Sequence, residues 1–181
     1  MSWTLFLNGT VGVGKTTTAQ AVSQALEGRV PHAVIDTDTL RTRWPAPSGD
    51  PFDLELELRN LAALSANYRA AGSIGLIVSG VIEDRDTAKR YVEAISSGNS
   101  DVKFVLVRLT APLDVIARRI EARHHDSQED RDWHLARAPE LDAILSSAGF
   151  DEVLVNTHRP LNEVVEELLA LVVPTSEALA A

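Results

Sequence analysis

Five short apolar runs rich in β-branched residues recur along the chain: Thr4 to Asn8, Ala33 to Asp36, Ile74 to Ser79, Val102 to Leu109 and Glu152 to Asn156. Each has the length and composition of a strand covered on both faces. Between them the period changes. Apolar residues three and four apart at Leu58, Leu61, Leu64 and Tyr68 predict a helix, as do Leu113, Ile116, Ala117 and Ile120 behind Pro112. Leu141, Ile144, Leu145 and Ala148 form another stripe, closed by Gly149. The last comprises Leu161, Val164, Val165, Leu168 and Val172, bracketed by Pro160 and Pro174. A further helical pattern runs from about Thr16 to Leu26. Strands alternating with helices require crossovers, so the expected fold is α/β: a five-stranded, mainly parallel sheet with helices on both faces. Ligands collect at the carboxyl ends of such strands. The Pro-, Gly- and Asp-containing stretch from Thr42 to Asp53 reads as an irregular surface loop. Residues 1–174 are expected to form one domain and residues 175–181 a flexible tail.

Composition narrows the partners. At 181 residues the chain suits one domain with a substantial core. A formal net charge of −9 argues against a broad nucleic-acid-binding face, which needs clustered Lys and Arg, but not against one basic pocket for a nucleotide. The absence of cysteine excludes disulfides and thiolate-bound metal. No apolar run approaches a membrane span. The first strand begins close to Met1, leaving no room for a cleaved signal, so cytoplasmic residence is the expectation. Oligomeric state is not legible.

The chemistry begins directly after the first strand, at Gly9-Thr10-Val11-Gly12-Val13-Gly14-Lys15-Thr16. This is the phosphate-binding pattern G-x-x-x-x-G-K-[ST] in its strand-loop-helix setting. A polyphosphate needs many donors at short range, and successive backbone amides supply them when side chains keep clear. The following helix, opening through Thr16 and Thr17, adds its unpaired amides and positive dipole end. Lys15 is expected on the outer phosphates of ATP and the Thr16 hydroxyl on Mg²⁺.

After the second strand come Asp36-Thr37-Asp38-Thr39-Leu40-Arg41. A carboxylate here, Asp36 or Asp38, can reach Mg²⁺ or orient and deprotonate an acceptor hydroxyl, while Arg41 can pair with an anionic acceptor group. The competing role is a helix cap. This run resembles the D-G-D-x-x-R of adenylylsulfate kinase and the D-S-D of shikimate kinase. With the phosphate loop, it makes the chain similar to the nucleoside-monophosphate-kinase-like branch of P-loop proteins, which also includes gluconate kinase and chloramphenicol phosphotransferase. The resemblance implies the three-layer P-loop NTPase fold. It implies Asp38 as the base, Asp36 nearer the metal, and Arg41 on the acceptor.

Two more regions carry the resemblance. Ser79-Gly80-Val81-Ile82-Glu83-Asp84-Arg85 lies where many P-loop proteins place an acid on the metal; Ser79 departs from that pattern, as adenylylsulfate kinase does. Arg85 resembles the arginine that grips the acceptor in these kinases; a solvated charge at a helix start is the other reading. Arg118-Arg119-Ile120-Glu121-Ala122-Arg123 and the polar stretch His124 to Asp132 resemble the start of a lid, here about 119–137. The resemblance places Arg119 on adenine and Arg123 on the phosphates, with Arg131 and Arg137 nearby. Adjacent His124 and His125 lack a third ligand at useful spacing and read as exposed lid residues. Asn156-Thr157-His158-Arg159 falls where the family's adenine loop lies. The expected activity is ATP- and Mg²⁺-dependent phosphoryl transfer to a hydroxyl or phosphate of a small molecule. A nucleotide or nucleoside kinase, or an ATP-binding module without transfer, are the alternatives. The acceptor stays open, with its pocket expected over Thr42 to Tyr68.

Overall fold

The structure, a computed structural model, describes residues 2–45, 47–50, 52–96, 101–150 and 153–173. Five strands, β1 (Trp3–Asn8), β2 (His32–Asp36), β3 (Gly75–Ser79), β4 (Lys103–Thr110) and β5 (Val153–Asn156), form one sheet in the order β2-β3-β1-β4-β5. Every neighbouring pair is parallel. The helices are α1 (Lys15–Leu26), α2 (Leu54–Ala70), α3 (Arg85–Ser96), α4 (Leu113–Arg123), α5 (Gln128–Ala148) and α6 (Leu161–Val172). The predicted tail lies outside the described residues, as does Glu152 at the expected start of β5. Among the described residues no helix is long and apolar enough to cross a membrane.

Alternation along the strands builds two cores. Leu5 and Leu7 of β1 with Val105, Val107 and Leu109 of β4 face Ala19, Val22 and Leu26 of α1 and Val164, Val165 and Leu168 of α6. The opposite face carries Phe6, Ile35, Leu76, Val78 and Leu106 against Leu58 and Leu61 of α2 and Tyr91 and Ile95 of α3. Both faces are therefore apolar, which is why the strands read as continuous hydrophobic runs. A smaller cluster of Ile116, Ile120 and Ala138 joins α4 to α5.

The stripe at Leu58, Leu61 and Leu64 extends into a helix that begins at Leu54, and α3 begins at Arg85 without a stripe having marked its length. Only Tyr91 and Ile95 of the twelve α3 residues are buried, too sparse a stripe to stand out among its charges. The segment between Thr42 and Asp53 has neither helix nor strand among its described residues. Pro112 occupies the N-cap of α4, one position before the first turn.

Candidate active site

The phosphate loop crosses the carboxyl end of β1 and is shaped by what surrounds it. A Cβ on Gly9 would stand 2.8 Å from the Leu109 carbonyl, and one on Gly12 would stand 2.7 Å from Ile120 of α4. Both residues have positive φ, 143° and 79°, so glycine is required by space and by conformation. Asn8 ties the loop's start to the segment after β3: its side chain accepts from the amides of Gly9 and Ile82 and donates to the Ile82 carbonyl at 3.0 Å. Thr10 donates its hydroxyl to the Ala138 carbonyl of α5 at 2.7 Å.

Gly14 caps α1 without a side-chain bond, and the first intrahelical bond is Thr18 N–H to the Gly14 carbonyl at 2.9 Å. The amides ahead of it at the helix start have no acceptor within the helix, the arrangement that receives an anion. The Thr16 and Thr17 side chains are exposed, and Val11 and Val13 complete the loop lining. Lys15 folds back, donating its Nζ to the carbonyls of Gly9 at 2.7 Å and Thr10 at 3.1 Å. Burial pulls its ammonium down to about 8; Asp38 and Asp36 favour the charged form and Arg123 opposes it.

Beyond β2, a 3₁₀ turn over Thr37–Arg41 carries the two acids. Asp36 takes the capping role, and its second oxygen points to the phosphate loop. One oxygen caps the turn through the Asp38 amide at 3.1 Å, and the other accepts from the Thr16 hydroxyl at 3.0 Å. Asp38 has no capping role and lines the same cavity, ion-paired to Arg41. Arg41 also lies 3.5 Å from Glu57 of α2 and stacks over the Phe52 ring, 5.3 Å from its centroid.

Glu57 was not anticipated. It is buried and accepts a hydrogen bond from the Tyr91 hydroxyl. Burial raises its carboxyl above the ordinary range, while the Tyr91 bond, Arg41 and the Thr37 hydroxyl pull it back. Burial and the adjacent Glu57 also push the Tyr91 phenol upward. The signal was in the sequence: Glu57 precedes Leu61 and Ser65 at four-residue spacing, an acid on the buried stripe of its helix.

On the other side of the loop, Arg119 of α4 donates to the Val13 carbonyl at 2.9 Å and to the carbonyl and hydroxyl of Thr157 at 2.8 and 3.0 Å. Thr157 in turn donates to the Val13 carbonyl at 2.8 Å. Arg119 thus braces the phosphate loop against the segment after β5. Arg123, one turn on, lines the cavity and is exposed. The expected lid is helical at both ends, with a turn across 124–127 where α4 passes into α5. Stacked rings of His124 and His134, 4.3 Å apart, join the two helices. Trp133 of α5 lines the cavity.

Arg85 is the exception. The structure sets it in a shallow groove with Ala88, Lys89, Val92 and Phe104, away from the large cavity. Asp84 explains this: its carboxylate accepts from the amides of Asp86 and Thr87 and from the Thr87 hydroxyl, so α3 starts at Arg85 and turns it outward. Those Thr87 and Asp86 bonds also hold the Asp84 carboxyl below its usual range. The arginine that does reach the cavity beside this segment is Arg137 of α5, which donates to Glu83 at 2.6 Å.

These groups surround one cavity of about 1160 Å³ that spans the carboxyl ends of the strands. The profile of the AAA domain family matches residues 5–138, from β1 to the middle of α5. The chain belongs to the AAA domain family. Its fold is that of the P-loop proteins, shared by solved structures over nearly the whole chain. A tunicamycin resistance protein from Deinococcus radiodurans is 26% identical, with a TM-score of 0.63, covering 94% of this chain and 95% of that one. A gluconokinase from Sinorhizobium meliloti is 20% identical, with a TM-score of 0.57 and coverage of 92% and 89%. An APS kinase from Mycobacterium tuberculosis, in complex with AMPPNP and APS, is 22% identical, with a TM-score of 0.58 and coverage of 94% and 96%. No curated protein matches the sequence. Among the described residues of this AAA domain, no group of three or more His, Asp or Glu side chains is placed to hold a metal by itself.

Proposed function

We propose that this AAA domain protein is a kinase that moves the γ-phosphoryl group of ATP, with Mg²⁺, to a hydroxyl of a small molecule. The observation that carries the reading is the 3.0 Å bond from Thr16 to Asp36, which joins the second-strand acid to the phosphate-loop hydroxyl. One hydroxyl and one carboxylate suit Mg²⁺, which keeps several waters and takes its remaining ligands from phosphates. When bound, the ion neutralises charge between the phosphate oxygens.

The chain's own residues supply the rest. Backbone amides at the start of α1 receive phosphate oxygens, and Lys15 leaves the Gly9 and Thr10 carbonyls to meet the outer phosphates. Asp38 takes the proton of the acceptor hydroxyl as its oxygen bonds to the γ-phosphorus and the bond from that phosphorus to the ADP oxygen breaks. Arg123, arriving from α4, stabilises charge on the transferring group. Arg119 keeps the loop in shape and offers its guanidinium plane beside the segment after β5, where adenine would lie. The solved structures support this reading, since the gluconokinase and the APS kinase are named for kinase activity. A coupled ADP-release screen over small hydroxylated metabolites tests it. Saturable, Mg²⁺-dependent ADP release with at least one acceptor is expected; tight ATP binding with no transfer to any acceptor would make the protein a binding module instead.

A further inference from the structure

The cavity is electrically divided, and the division bears on the acceptor. Lys15, Arg119 and Arg123 lie around the phosphate loop and α4. The half under β2 and β3 is instead lined by five carboxylates besides Asp36: Asp38, Asp50, Glu57, Glu83 and Asp84. Its two arginines are already engaged. Arg41 is paired with Asp38 and lies 3.5 Å from buried Glu57. Arg137 is held by Glu83 at 2.6 Å and Glu140 at 3.0 Å. The remaining lining carries the neutral polar side chains of Thr39 and Thr87 and an apolar share in which Phe52 and Trp133 are half exposed at 49% and 54%.

An anionic acceptor would have to pull these guanidiniums from their carboxylates and leave Glu57 buried without its cation. Like charges brought together, and a buried charge stripped of its partner, are each costly. Resting on the kinase reading above, we propose that the acceptor is an alcohol without negative charge, neutral or cationic, whose apolar portion packs against Phe52 and Trp133. Arg41 then serves to position Asp38 and is not a receptor for a carboxylate, sulfate or phosphate.

The test uses the full chain saturated with ADP and Mg²⁺, titrated calorimetrically with matched pairs: methyl shikimate and shikimate, glucosamine and gluconate, uridine and uridine 5′-monophosphate. ADP-release rates with ATP are measured for the same compounds. The uncharged or cationic member should be favoured, by about 10-fold or more in affinity or kcat/KM. Substituting Asp50→Asn and Glu83→Gln together should narrow that preference. A preference for the acid member in any pair, or equal response across all pairs, overturns the proposal. Loss of ADP binding itself would instead overturn the kinase reading.

Discussion

Lys15 provides a prediction whose size follows from the structure. In the free protein burial brings its ammonium to about 8 from the ordinary 10.5. A bound polyphosphate surrounds the same group with negative charge and restores the proton. Binding must then take up about 0.1 proton at pH 7, about 0.5 at pH 8 and about 0.9 at pH 9, the fractions of a group titrating at about 8. Above pH 8 the dissociation constant for ADP should rise towards tenfold per pH unit. Calorimetry with Mg²⁺ and ADP, in pairs of buffers that differ in ionisation heat, reads the uptake directly. The α-amino group titrates in the same range, so the informative quantity is the difference from Lys15→Met. In the unliganded protein the sign runs the other way. Unfolding lets Lys15 regain its proton, so the cost of holding it charged is full below pH 8 and disappears between 8 and 10.5. Stability from this group therefore rises with pH. Uptake that is flat from pH 7 to 9, or unchanged in the variant, would refute this account of Lys15.

Gly12→Ala forces a Cβ against Ile120 at positive φ, so it should cost about 1–3 kcal/mol in urea unfolding and weaken ADP binding, with Gly28→Ala, whose Cβ meets nothing within 4 Å, as the control for backbone strain alone. Glu57→Ala strips partners from Arg41 and the Tyr91 hydroxyl and should cost about 3 kcal/mol, whereas Tyr91→Phe, which removes one hydrogen bond, should cost about 1 kcal/mol. The raised Glu57 carboxyl keeps its proton in the folded state after the unfolded chain has lost it. Its contribution is thus full below the ordinary value of 4.5 and is lost as pH rises through the folded value; Glu57→Gln should remove that slope from the stability profile.

The strands were legible because both faces of the sheet are covered, so every β residue from Leu5 to Leu7 or Leu76 to Val78 had to be apolar. The phosphate loop was legible because its glycines answer constraints that no other residue meets, the Leu109 carbonyl and the Ile120 side chain. Local capping was legible as well, yet sequence left Asp36 and Asp38 open between a cap and a site acid; the cap falls to Asp36, whose other oxygen meets the Thr16 hydroxyl. What escaped depends on contacts between distant segments. Glu57 meets Tyr91 across thirty-four positions, and Arg137 meets Glu83 across fifty-four. Arg85 was left between gripping an acceptor and a solvated charge at a helix start, because an arginine after a strand says nothing about which way a helix cap will turn it; the Asp84 cap turns it outward. The bracing of Arg119 on Val13 and Thr157 was not legible, since it joins three segments that only the fold brings together.

The most direct test of phosphoryl transfer is Asp38→Asn, assayed with γ-labelled ATP and the acceptor that gives the fastest ADP release, nucleotide affinity being measured on the same sample. The ADP dissociation constant should stay within a few-fold of wild type while transfer falls by about 10²-fold or more. Transfer at the wild-type rate would contradict Asp38 as the base.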